Sequence, residues 1–102
     1  MNEVRDVPER HRYEILVDGE LIGLADYRLS PGHITVFHTE IHDARQHRGL
    51  GGELVAAVLD DIRVRGLLVV PECPFVRHFI REHPEYDDLV DHAALDALHL
   101  PD

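Results

Sequence analysis

The chain has no tryptophan, no lysine and only one cysteine, Cys73. A single cysteine excludes an internal disulfide and any zinc site built from several thiolates. Without lysine, the chain offers no ε-amine for its own acylation, and all its basic residues are arginine. No apolar run approaches the roughly 20 residues of a membrane span. Met1 to Arg12 is charged and has no apolar signal-peptide core. The expectation is a cytoplasmic protein with no membrane partner. Basic charge is also scarce: 10 basic residues against 20 acidic ones give a net charge of −10. Such a surface repels phosphate backbones, so no nucleic-acid partner is expected. It attracts a cation such as an amine.

What is present fits one domain of 102 residues, with a core over 12–90 and an acidic tail over 91–102. Residues 1–11 show no periodicity and read as a loose lead-in. From Arg12 to Val17 the apolar residues alternate, and Asp18-Gly19 fits a tight type I′ hairpin turn. A second strand is expected from Glu20 to Leu29, a turn at Ser30-Pro31-Gly32, and a third strand from His33 to Ile41. These three form an antiparallel meander. The period then changes. Leu54, Val55, Val58, Leu59 and Ile62 make one helical stripe between Gly51 and Arg65, and Gly66 stops it. Leu67 to Val70 is a short buried strand. A helix between two strands predicts a right-handed βαβ crossover, with the third and fourth strands parallel. A second helix starts near Cys73-Pro74, carries Phe75, Val76, Phe79 and Ile80 on one face, and ends before Pro84. The tail allows a short amphipathic helix. The class is α/β, an antiparallel meander followed by a βαβ crossover.

The turn Gln46-His47-Arg48-Gly49-Leu50-Gly51 lies between the third strand and the long helix. Its glycines let backbone approach a ligand, and the N–H groups of a helix's first turn attract an anion. Arg45 and Arg48 add positive charge in an acidic chain. The spacing is neither a P-loop nor a Rossmann fingerprint. A plain glycine-containing turn is the bland alternative.

Gln46-x-x-Gly49-x-Gly51 resembles the Gln/Arg-x-x-Gly-x-Gly/Ala pyrophosphate-binding motif of the GNAT N-acetyltransferases. Pro71-Glu72-Cys73-Pro74-Phe75 and His83-Pro84-Glu85-Tyr86 are similar to very short, single-domain members. The resemblance covers about residues 12 to 90. It implies the GNAT fold, acetyl-CoA as acyl donor, and transfer to an amine of a small molecule or basic peptide. Gln46, His47, Arg48, Gly49, Leu50, Gly51 and Gly52 would hold the CoA pyrophosphate, with Arg45 beside them. The pantetheine arm would lie between splayed third and fourth strands, near Glu40, Ile41 and His42. The chain departs from the family in length: the N-terminal strand and helices that often shape the acceptor pocket are expected to be missing. A non-catalytic CoA-binding module is therefore the alternative function; the protein is expected to be a monomer or a homodimer, and in a homodimer the second chain would supply a missing wall.

Acyl transfer to an amine needs a group to take a proton and one to protonate the leaving thiolate. His38 and Glu40 share a strand face, which by simple alternation also carries Ile34 and Val36. Glu40 is the expected base, with His38 serving instead or orienting it. Cys73, near a helix start, would carry the acyl group in a ping-pong route, or else is a small buried hydrophobe. The resemblance implies Tyr86 as the acid; its bland role is packing. His42 and His47 flank the loop, His78 and His83 fall on a helix surface, and no histidine pattern points to a metal.

Overall fold

The computed structural model describes residues 1–42 and 49–101. Five strands form one sheet in sequence order: β1 Asn2–Val7, β2 Arg12–Val17, β3 Glu20–Ser30, β4 His33–Ile41 and β5 Leu68–Pro71. The first four are antiparallel, and β5 joins β4 in parallel after the crossover helix α1, Leu50–Val64. Helix α2, Pro74–Glu82, a 3₁₀ segment Pro84–Leu89 and a short helix α3, His92–Ala97, complete the chain.

Local chemistry accounts for most of these boundaries. Asp18 and Gly19 both have positive φ, 51° and 83°, as a type I′ turn requires. Pro74 occupies the first turn of α2, where its missing N–H costs nothing. Leu54, Leu59 and Ile62 are fully buried against Tyr13, Ile15, Ile34, Val36 and Val69 of the sheet. Burial of such side chains contributes about 1.5–3 kcal/mol each.

Two expectations fail. Residues 1–11 are no loose lead-in: Asn2–Val7 forms the edge strand β1, paired with β2 along its whole length from Asn2↔Val17 to Val7↔Arg12. The N-terminal strand is therefore present, and only a 3₁₀ turn, Pro8–Arg10, separates it from β2. An edge strand needs backbone partners on one side only, so it shows little hydrophobic alternation. The second failure is local. Along β3 and β4 the register shifts between Asp26↔His38 and Tyr27↔Val36, so Phe37 is an extra residue in a β-bulge. A bulge reverses the faces of everything beyond it. Thr39 and Ile41, not His38 and Glu40, continue the side of Ile34 and Val36; Thr39 reaches Cys73 and Ile41 packs on the core.

Candidate active site

Strand β4 is longer than its parallel partner. The last ladder pair is Val36↔Pro71, and the Cys73 N–H donates to the Val36 carbonyl at 3.0 Å just beyond it. From Phe37 to Ile41, β4 runs on with no residue of β5 beside it. Beyond that point the chain leaves β5 for α2, with Cys73 still against Thr39 of β4.

Glu40 stands on the open face of that β4 extension, between two imidazoles. His38 Nε2 lies 2.7 Å from one carboxylate oxygen and His42 Nε2 lies 2.6 Å from the other. A carboxylate only accepts, so each Nε2 carries the proton and each Nδ1 stays available. These two hydrogen bonds hold the Glu40 carboxyl below its ordinary range. A carboxylate so stabilised is a weaker base than a free one. His38, Glu40 and His42 are each well exposed. The sequence had paired His38 with Glu40; His42, read as a cofactor contact, completes the cluster.

Cys73 lies on the other side of β4. It is buried, with Sγ 3.5 Å from Thr39 Oγ1, and it caps α2. The turn before it is held by Arg77, a buried arginine that donates to the carbonyls of Pro71 at 3.2 Å, Glu72 at 2.6 Å and Pro101 at 2.8 Å. Sequence reasoning missed Arg77. Its place beside Val76 and one turn after Cys73 was the available signal.

Tyr86 is apart from both groups. Its hydroxyl donates to Asp60 of α1 at 2.8 Å, and burial together with that bond pushes its pKa up to about 12. It closes one end of a cleft of about 680 Å³ between α1 and α2, lined also by Gly52, Ala56, Phe75, Phe79 and His83. His83 stacks on Phe79 at 4.0 Å, so it is a wall residue rather than a surface one.

Of the phosphate turn, Gly49 to Gly52 are described; Arg45, Gln46, His47 and Arg48 lie outside the described residues. Gly49 precedes the helix with φ 83°, a left-handed conformation that strains any residue with a Cβ. It contributes no side-chain cap, and an α-helix leaves its first N–H groups without intrahelical partners. Leu50 points into the core. Gly51 has a packing role: a Cβ there would stand 2.8 Å from the Phe75 ring, so its absence lets α2 close on α1. Among the described residues no cluster of histidine, cysteine and carboxylate side chains is arranged to hold a metal, and no helix is long and apolar enough to cross a membrane.

The described residues thus form an antiparallel meander, a crossover helix preceded by a left-handed glycine, and a parallel strand pair beside a His–Glu–His cluster. Residues 12–89 match the family model described as GCN5-related N-acetyl-transferase, and the chain belongs to that family. Its fold is similar to the solution structure of a Staphylococcus aureus protein described as a GCN5-like N-acetyltransferase. That pair is 22% identical with a TM-score of 0.66 over 86% of each chain. It is also similar to the ribosomal-protein-S18-alanine N-acetyltransferase of Escherichia coli, again at 22% identity. There the TM-score is 0.53, over 60% of this chain but only 41% of the larger enzyme. No curated protein sequence matches.

Proposed function

We propose that the protein transfers an acetyl group from acetyl-CoA to a primary amine, with the reaction centred on the β4 extension. The observation that supports this reading is the run of β4 past its last pair with β5, Val36↔Pro71, with His38, Glu40 and His42 joined at its end. The CoA diphosphate sits at the N-terminus of α1, near Gly49 and Gly51, and the family resemblance adds Arg45, Gln46, His47 and Arg48, which precede them in sequence, as its contacts. The pantetheine arm follows the backbone that β5 leaves unpaired, past Ile41 and His42.

The amine nitrogen attacks the thioester carbonyl carbon, the C–S bond breaks, and the departing thiolate takes a proton. His38, through Nδ1, accepts the proton that the amine loses. Glu40 holds the imidazole in that tautomer and offsets the charge it gains. This reading reverses the order expected from sequence, in which Glu40 was the base. The burial of Cys73 beside Thr39 favours direct transfer over an acyl-cysteine. Tyr86, the acid that the family resemblance implies, gives its proton to Asp60 here, so it serves the thiolate only if that bond opens, and Tyr86→Phe tests that role. The acidic surface favours a cationic acceptor, a small polyamine-like molecule or a basic peptide.

The test is acetyl transfer to a panel of amines and basic peptides, followed by free thiol release. Turnover that falls in His38→Ala and persists in Cys73→Ala supports the direct route. An acetyl adduct on Cys73 by mass spectrometry would support the covalent one. Binding of CoA in calorimetry with no turnover on any acceptor would replace the enzyme by a CoA-binding module.

A further inference from the structure

We infer that β1 is a self-pairing edge, and that two copies of this chain join antiparallel strands about Val4 into one continuous sheet. Strand β1 ends the sheet, so one side of its backbone has no strand partner. Which groups face outward follows from the ladder. The Asp18 N–H donates to the Met1 carbonyl at 3.0 Å, which makes Met1 a hydrogen-bonded position toward β2. Antiparallel ladders alternate, so Glu3, Arg5 and Val7 also bond inward, while Asn2, Val4 and Asp6 direct N–H and C=O to the open side.

This pattern limits the registers a second copy can adopt. A twofold axis at Val4 pairs Val4 with Val4 of the other copy and Asn2 with its Asp6. Every outward group is then used, in roughly six hydrogen bonds. The same register sets Glu3 opposite Arg5 on both sides of the axis, as close non-hydrogen-bonded pairs. Sliding the pairing one step either way centres it on Glu3 against Glu3 or Arg5 against Arg5, and both place like charges in contact. Glu3 and Arg5 are exposed, and among the described residues they take no part in side-chain bonds. Edges are protected against self-association by charged side chains, a proline or a bulge. Asn2–Val7 has no proline and no bulge, and the charges of Glu3 and Arg5 are opposite and symmetric about Val4, so a second copy in this register pairs them.

Side chains keep their faces across such an axis. Val4, which packs against the core side, meets its counterpart there, and Glu3 and Arg5 meet on the open side. The His38–Glu40–His42 clusters of both copies then open on one face of the joined sheet. A six-residue edge buries less than a standard stable interface, so the dimer is concentration-dependent.

Sedimentation velocity of the full chain, from low to high micromolar, tests the proposal. The wild type should shift from monomer to dimer. Glu3→Arg and Arg5→Glu should each remain monomeric with an unchanged melting temperature, and the double exchange E3R/R5E should dimerise again. A wild type that stays monomeric throughout, single variants that dimerise as well as wild type, or a double exchange that fails to recover would each overturn it. Melting curves separate a lost interface from a lost fold, and none of the readings depends on catalysis.

Discussion

The two ends of the sheet are built on opposite plans. At the β1 end, strand and helix are tied by saturated side-chain bonds. Tyr27 donates to Asp6 at 2.7 Å and Tyr13 to Asp61 at 2.6 Å, while Arg65 reaches Asp6 at 3.2 Å and the Tyr13 hydroxyl at 3.1 Å. The tyrosine rings lie 5.4 Å apart beneath this network. Along β4, next to the other edge, the ladder with β5 ends early, a bulge turns two polar side chains outward, and two imidazoles share one exposed carboxylate. The first end spends its polar side chains on holding strand to helix, while among the described residues the second groups its polar side chains on an exposed strand face. Where a small domain leaves a strand unpaired next to a helix N-terminus, it keeps room for a ligand.

The contrast can be broken most strongly at the open end. His38→Ala should lower kcat about 10²–10³-fold, the scale of a lost general base, with the melting temperature unchanged. Steady-state kinetics beside a thermal melt checks both halves. Parallel losses of activity and stability would show that His38 belongs to the fold instead. At the closed end the pattern inverts. Asp6→Ala strips an acceptor from Tyr27 and Arg65 and should cost about 1–3 kcal/mol in stability. That corresponds to a fall of roughly 4–8 °C in Tm per kcal/mol for a domain of this size. The kcat per folded molecule should not change.

A smaller effect sharpens the comparison within the active face. Glu40→Gln keeps the shape but loses the charge that orients His38, so kcat should fall by roughly tenfold, less than in His38→Ala. A larger loss than in His38→Ala would return the base role to Glu40.

The subtlest measurement is a tyrosine titration by ultraviolet absorbance. Burial and the hydrogen bond to Asp6 push Tyr27 up to about 12, burial and Asp60 do the same for Tyr86, and burial with Asp61 raises Tyr13 as well. A raised pKa means that the folded state holds its proton more tightly. The stabilisation is complete below about pH 10, the unfolded tyrosine range, and is lost as pH rises toward 12. No tyrosine should ionise near pH 10 while the protein stays folded. A fraction that does so would show that one of these bonds is open in solution.

Much of the architecture was legible from local pattern. Strand β4 runs from His33 to Ile41 as its alternation predicts, α1 follows the stripe of Leu54 to Ile62, and Pro74 opens α2. These features rest on periods of two and 3.6 residues and on the backbone limits of glycine and proline, all of which act over a few positions. Strand β1 escaped because its stability comes from Arg12–Val17 across a turn, not from its own hydrophobicity. Arg77 escaped because its partners are carbonyls, which no side-chain pattern announces.

The candidate site divides along the same line. The sequence by itself determined the βαβ crossover, the glycine turn before α1, and the presence of His38 and Glu40 on one strand. Only the tertiary structure decided which way they face. The bulge at Phe37 exists in the register between β3 and β4, not in either strand alone, and it turns His38 and Glu40 away from the core. The same long-range placement brings His42 to Glu40, seats Cys73 against Thr39, and spends the Tyr86 proton on Asp60. Local chemistry can choose an element and its ends, but a hydrogen bond between distant residues depends on how the elements pack.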